Sequence, residues 1–296
     1  MASISIFRLL SCTIAFALLA CRQPGAQART MVVVDDAGDS VTVRVPATRV
    51  VSLIPASTEL LFAIGAGPSV VGRTEWCDYP PGTAAVPSLG AGINPNVEAV
   101  LSAGPDLVIL YNSAQHADVA SRLRALGVPV IRINTDALAD VPRIGTLLGR
   151  LTGHARGADS MSAVFDTALA AATVGAGSAP GPNVLLLVWE QPPMTIGRGS
   201  YLSELVERAG GENLFADVST SSGPVSIEAV SVRDPDLILT TAAGPASFAT
   251  RPEWQVVRAV RERRFLEISG SQFDRPGPRS PHAIRVLTRR LQEASR

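Results

Sequence analysis

The chain has no lysine: its 26 basic residues are all arginine and stand against 26 acidic residues, for a formal net charge of zero over 296 positions. No basic stripe is available to follow a nucleic-acid backbone. The short cluster Arg258, Arg261, Arg263, Arg264 reads as one solvated helix face. Cysteine is nearly as scarce. Cys12 and Cys21 lie in an N-terminal apolar segment, which leaves Cys77 alone in the body of the chain, unable to form an internal disulfide or a metal cluster. There are three histidines, His116, His154 and His282, far apart in sequence, where a metal site needs several ligands together. No G-x-S-x-G elbow, phosphate loop, H-E-x-x-H motif or G-x-G-x-x-G after a strand occurs. Catalysis is therefore the weaker expectation, with a two-lobed α/β hydrolase using Asp78 or His282 as the enzymatic alternative.

What is present begins with a leader. Arg8 precedes a twelve-residue apolar run, Leu9 to Ala20, long enough for a signal-peptide core and too short to span a bilayer. Two exits follow. Leu18-Leu19-Ala20-Cys21 resembles a bacterial lipobox, with Cys21 as the lipidated residue, and Ala26-Gln27-Ala28 is an ordinary A-x-A site. The lipobox is favoured because it abuts the apolar run, and either exit implies export. After it no segment reaches 18 uninterrupted apolar residues.

The remaining chain is hydrophobic enough for packed cores, 46% apolar against 18% charged. Residues from Met31 alternate around Asp-Asp-Ala-Gly, a β-hairpin signal. RVVSLIP then reads as a buried strand, followed by a helix capped by Ser57 or Thr58 with Glu59 in its first turn. A short strand at Val70–Gly72 precedes an irregular stretch. Asn94 and Pro95 are expected to open the helix that carries Val97, Val100 and Leu101. LVILY, a helix over 116–126 and VPVIRI complete a βαβαβα run, which implies a parallel sheet. Residues 139–174 keep helical spacing and predict one long bridging helix, in which Gly153 and Gly157 are unfavourable but need not end it. Gly175–Pro182 is punctuation, and from Asn183 the strand–helix pattern restarts with VLLLVW.

The halves echo one another. VEAVLSAGPDLVIL at 97–110 and IEAVSVRDPDLILT at 227–240 agree at six of fourteen positions, 130 residues apart, and Thr58-Glu59-Leu60 is echoed by Ser203-Glu204-Leu205. The expected architecture is two similar Rossmann-like α/β lobes with parallel sheets, over 29–138 and 175–296, joined by the 139–174 helix after a 1–28 signal segment. Glu98 and Glu228 then take equivalent places. Aromatics make up only 5% of the chain, yet Trp76, Tyr79, Tyr111 and Trp189, with Met194, fall just after strands or in the loops that follow. Ligands of open α/β sheets sit there. Trp254, in EWQVVRAV, reads as packing. Arg275 and Arg279 sit in QFDRPGPRSPH, a rigid loop that can present Arg275 to an anion or amide.

Taken in order, RVVSLIPASTELLFAIG, WCDYPP, NPNVEAVLSAGPDLVIL, the bridging segment, IEAV…PDLIL and DRPGPR resemble the helical-backbone substrate-binding proteins of ABC importers. Those proteins carry cobalamin, haem or ferric siderophores, and CDYP is most similar to the cobalamin binders. The resemblance implies a monomeric extracytoplasmic protein, periplasmic or anchored by lipid, that delivers a large chelate to a permease dimer and needs no cofactor or metal of its own. It implies that Glu98 and Glu228 dock into arginine pockets on the two permease subunits. It also implies that Trp76 and Tyr111 are walls for a flat ligand, and that Arg275 bonds the ligand's polar edge. Met194 stands where an aromatic is frequent, and Gly90–Gly92 offers small residues where cobalamin binders often place another aromatic. Zinc and manganese receptors of similar fold rely on clustered histidine and carboxylate ligands, which three scattered histidines do not supply. A receptor that signals to a membrane sensor is the remaining alternative.

Overall fold

The protein is seen in a computed structural model that describes residues 29–173, 181–241 and 247–294. The leader with Cys21 and most of the glycine- and proline-rich stretch at 175–182 lie outside the described residues. The hairpin is formed by β1 (Arg29–Val34) and β2 (Ser40–Val45), antiparallel from Arg29 opposite Val45 to Val34 opposite Ser40. Its turn is built on Asp35, whose buried carboxylate accepts the backbone N–H groups of Ala37 and Asp39 and the Arg124 guanidinium at 2.9 Å. That ion pair clips the hairpin onto the first lobe.

The first lobe runs β3 (Val50–Ser52), α1 (Pro55–Ala63), β4 (Val70–Arg73), α2 (Val97–Ser102), β5 (Leu107–Tyr111), α3 (Ala114–Ala125) and β6 (Val130–Ile133). The sheet order is β4-β3-β5-β6, all parallel, and the apolar runs VVS and LVIL are buried throughout, as a sheet covered on both faces requires. Helix α1 starts earlier than the sequence reading. Pro55 occupies its first turn, where a missing N–H costs nothing, and Ser57 and Thr58 lie inside the helix with their hydroxyls bonded back to the Ile54 carbonyl. Helix α2 starts later: Asn96, and not Asn94, is its cap, its Oδ1 accepting the Ala99 N–H at 3.1 Å.

The connector is two helices where one was expected. The first, α4 (Asp140–Thr152), ends at Gly153, whose φ of 78° is the left-handed cap that glycine adopts without steric cost. Helix α5 (Ala155–Thr173) turns back along it. Gly149 faces Ala158 and Gly145 faces Met161, so the two pack closely as an antiparallel pair. Helix α5 is the bridge, since it packs on α4 and α1 in the first lobe and on the last helix of the second.

The second lobe repeats the plan with β7 (Asn183–Glu190), β8 (Pro193–Ile196), α6 (Tyr201–Arg208), β9 (Glu212–Asn213), β10 (Ser222–Pro224), α7 (Ile227–Arg233), β11 (Leu237–Thr240), α8 (Arg258–Arg261), β12 (Phe265–Glu267), α9 (Ser271–Asp274) and α10 (Ser280–Ala294). β9, β7, β11 and β12 are parallel neighbours, whereas β8 and β10 add an antiparallel edge, so this sheet is mixed. The Pro-Asp-Leu echo has a shared local cause. Asp106 accepts the Arg49 N–H at 3.0 Å at the mouth of β3, and Asp236 accepts the Asn183 N–H at 3.0 Å at the mouth of β7. One apolar core, including Leu60, Ile144, Phe165, Leu205 and Leu287, runs through both lobes and the bridge, with a satellite cluster on each outer sheet face. Trp254 is fully buried in the second-lobe satellite, which agrees with a packing role.

Candidate functional site

Parallel strands of both lobes aim their carboxyl ends at the gap between them, and a cavity of about 440 Å3 lies there. From the first lobe it is lined by Tyr111, the last residue of β5, and by Thr135 and Asp136, just beyond β6. From the second lobe come Val188, Ile196, Ser200, Tyr201, Phe273, Asp274 and Pro276. A neighbouring cavity of about 530 Å3 shares Val188 and Thr241 with it and is lined by Trp189, Glu190, Gln191 and Arg251. The volumes and mixed lining are those of a ligand site.

The polar groups are held in particular states. The Tyr111 hydroxyl donates to Asp136 Oδ1 at 2.7 Å, and burial together with that carboxylate pushes the phenol up to about 12. Burial also raises the Asp274 carboxyl, a shift the Arg275 charge only partly opposes. Tyr201 donates to the Gln272 carbonyl at 2.6 Å, and burial raises its phenol as well.

Below this cavity the lobes are tied by ions. Arg279, at the start of α10, makes a two-pronged contact with Glu59 of α1 at 2.9 and 2.8 Å, and the Glu59 side chain is 3% exposed. Arg275 lies 3.8 Å from the same carboxylate and bonds Asp78. Burial pushes Asp78 up, but the Arg275 guanidinium outweighs it and holds the carboxyl below its usual value. A reciprocal link runs the other way, Glu204 of α6 accepting the Leu138 N–H at 2.9 Å just ahead of α4. The Thr-Glu-Leu and Ser-Glu-Leu echo is thus a pair of glutamates, each reaching the loop before the last helix of the opposite lobe.

Of the residues singled out from sequence, Tyr111 lines the interlobe cavity and Trp189 lines its neighbour. Trp189 is 61% exposed, its indole donating to the Gln191 carbonyl at 2.8 Å, and Met194 faces it across the β7–β8 pair. Trp76 is 59% exposed, two residues from the Asp78–Arg275 pair. Tyr79 is outside the lining of both cavities, its ring covered by the Arg279 guanidinium at 3.8 Å. Arg275 sits between the lining residues Asp274 and Pro276 but is engaged by Asp78 and Glu59. Cys77 is buried beneath this layer against the hydroxyls of Thr58 and Thr74. Among the described residues no group of histidine, cysteine and acid side chains is arranged to hold a metal ion. Sequence reasoning passed over Asp136, Asp274, Phe273 and the role of Glu59.

Glu98 and Glu228 occupy the same local position. Each is exposed, two residues beyond a capping side chain, Asn96 or Ser226, that accepts the N–H of the next residue along, Ala99 or Ala229. Neither carboxylate is hydrogen-bonded or ion-paired among the described residues. They stand at the starts of α2 and α7, the corresponding helices of the two lobes.

The sequence profile of the periplasmic binding proteins matches residues 50–271. Similar proteins include the vitamin B12-binding protein of Vibrio cholerae, 27% identical over 252 residues that cover 85% of this chain and 91% of that protein. Another is an ABC transporter substrate-binding lipoprotein of Bacillus subtilis, 29% identical over 267 residues, covering 86% of this chain and 84% of that one. Among solved structures, the apo periplasmic heme-binding protein of Roseiflexus sp. RS-1 aligns with a TM-score of 0.75 at 28% identity, over 84% of this chain and 100% of that chain. The periplasmic vitamin B12 binding protein of Vibrio cholerae aligns at 0.73 and 26%, over 85% and 99%. The chain belongs to the periplasmic binding protein family, a family of substrate-binding proteins and not of enzymes.

Proposed function

We propose that this periplasmic binding protein captures a large metal chelate, cobalamin, in the cavity between its lobes and delivers it to an ABC permease. The observation that carries the reading is the pairing of that cavity, fed by the strand ends of both lobes, with two glutamates at equivalent positions after a capping side chain on corresponding helices, neither of them hydrogen-bonded or ion-paired among the described residues. A permease made of two like subunits requires one anionic handle from each lobe. Each Glu–Arg contact would contribute about 1.5–3 kcal/mol when desolvated. Tyr111 and Trp189 are the aromatic walls, with Trp76 exposed on the first-lobe side and Met194 as a polarizable neighbour, while Tyr79 supports the site indirectly by stacking on Arg279. Arg275, between the lining residues Asp274 and Pro276, is the cation proposed to meet the ligand's polar edge. The processed protein is a monomer outside the cytoplasm, anchored through Cys21.

Calorimetric titration of the processed chain with cyanocobalamin tests this. Saturable 1:1 binding with sub-micromolar Kd, about −8 kcal/mol or better, is the expected result. A second reading, haem, draws on the similarity to the Roseiflexus heme-binding structure. Saturation by haemin with no response to cyanocobalamin would establish it in place of cobalamin.

A further inference from the structure

The acids of the cavity lack matching cations. Asp136 from one lobe and Asp274 from the other line it, and no arginine or histidine is among the described lining residues. Residues 242–246, which follow the lining residue Thr241, read AAGPA and carry no charge. Four of the arginines nearby are already engaged. Arg275 and Arg279 are matched by Asp78 and Glu59, two cations for two anions. Arg143 serves both Asp36 and Asp140, which leaves an anionic excess beside Asp136. Arg251 faces Glu190 at 3.6 Å. Arg198, exposed in the loop before α6, is outside the cavity lining. Asp274 makes no hydrogen bond or ion pair among the described residues. Asp136 takes the Tyr111 hydroxyl on Oδ1, and its Oδ2 accepts nothing there.

From this we infer that the cavity selects its chelate by charge, with Asp136 and Asp274 as the specificity-determining residues: it takes a neutral or cationic chelate whose rim offers N–H donors, and it discriminates against one that carries carboxylates. The inference rests on the chelate-binding reading of the cavity. A carboxamide or ammonium donates to an acid oxygen that accepts nothing else among the described residues, whereas a carboxylate at the same place meets like charge in partly desolvated surroundings. Each ligand carboxylate close to one acid should weaken binding about tenfold, Coulomb repulsion at an intermediate dielectric being of that size. Because Tyr111 is tied to Asp136 as a donor, its oxygen is also unsuited to serve as an anionic metal ligand at neutral pH.

The test compares ligands of one shape and different charge. The processed chain is titrated with cyanocobalamin, with a cyanocobalamin derivative whose side-chain amides are hydrolysed to carboxylates, with haemin and with ferrioxamine B, a cationic iron chelate. The expected result is that the carboxylate derivative binds at least tenfold more weakly than its parent. In Asp274→Asn the gap should close by about tenfold and widen again as the salt concentration falls in the wild type only. Asp274 has no hydrogen-bond or ion-pair partner to lose among the described residues, so this variant is expected to keep its fold, and Asp136→Asn, checked like it by circular dichroism, gives the independent repeat. Equal binding of parent and carboxylate derivative, or tighter binding of haemin than of cyanocobalamin, overturns the charge selection while leaving chelate binding in place. A chain that binds none of the four overturns both readings.

Discussion

Glu59 and Arg279 meet across the two lobes although 220 residues separate them, with the guanidinium Nε donating to Oε1 and Nη2 to Oε2. Their contact is capped by the Tyr79 ring on one side and joined by Arg275 on the other. A carboxylate this enclosed faces two guanidinium groups at once, with Asp78 as the second anion. Glu59→Gln leaves both without it, and the loss of one member of a buried pair costs about 3 kcal/mol. The expected outcome in urea denaturation is a lower midpoint of that size. Arg279→Lys should lose a good part of the same energy, since an ammonium cannot make the forked contact.

The reciprocal glutamate is predicted to matter less. Glu204 gives one backbone acceptor bond to Leu138 and pairs with Arg208 one turn along α6, and its side chain is 28% exposed. Glu204→Gln keeps an amide oxygen for the Leu138 N–H and loses a solvent-screened ion pair, so the midpoint should fall by no more than about 1 kcal/mol.

Glu98 and Glu228 are expected to separate transport from binding. Each favours its helix start by about 0.3–1 kcal/mol through the dipole, so Glu98→Ala and Glu228→Ala should fold normally. Ligand affinity should stay within about twofold, because a surface change away from the cavity rarely exceeds 0.5 kcal/mol. Uptake in cells should drop steeply in either variant and vanish in the pair. Undiminished uptake by the double variant would exclude these residues as the handles.

Asp274 gives a pH dependence with a definite sign. Its carboxyl is raised in the folded protein, chiefly by burial, so folding disfavours its charged form. The penalty is fully present above the folded-state value and disappears as pH falls below the ordinary carboxylate value near 3.8. Asp274→Asn should therefore stabilise slightly at neutral pH, on the order of half a kcal/mol. The gain should vanish by about pH 3.5 when denaturation midpoints are followed downward.

The parts of the molecule legible in the sequence are those with a local cause that occurs twice. Asp106 and Asp236 each tie the start of a lobe's first strand, and Glu98 and Glu228 each follow a capping side chain, so the echoes mark equivalent structure. The break in the connector was not legible, because helical periodicity passes through Gly153 unchanged and the left-handed cap is a matter of one backbone angle. The DRPGPR loop showed its arginines but not their partners. Whether Arg275 is free depends on Asp78 and Glu59 from the other lobe, and with those engaging it the neighbour Asp274 is left without a hydrogen bond or ion pair among the described residues.

The bridge itself offers the sharpest steric test. At Gly157, near the start of α5, an added Cβ would stand 2.1 Å from the Ile64 carbonyl oxygen at the end of α1. That obstacle is backbone, fixed by the Leu60 carbonyl that accepts the Ile64 N–H, so it cannot swing aside. Gly157→Ala must push α5 off the first lobe, and the expected loss is about 3 kcal/mol or more despite the better helix propensity of alanine. At Gly145 the clash is comparable in distance, 2.4 Å, but the atom met is the terminal methyl of Met161, a flexible side chain that can take another rotamer. Gly145→Ala should cost about 1 kcal/mol or less. A thermal denaturation series that ranked the two substitutions the other way would show that α5 is not seated on α1 as described, and with it that the two lobes are not held at a fixed angle by this helix.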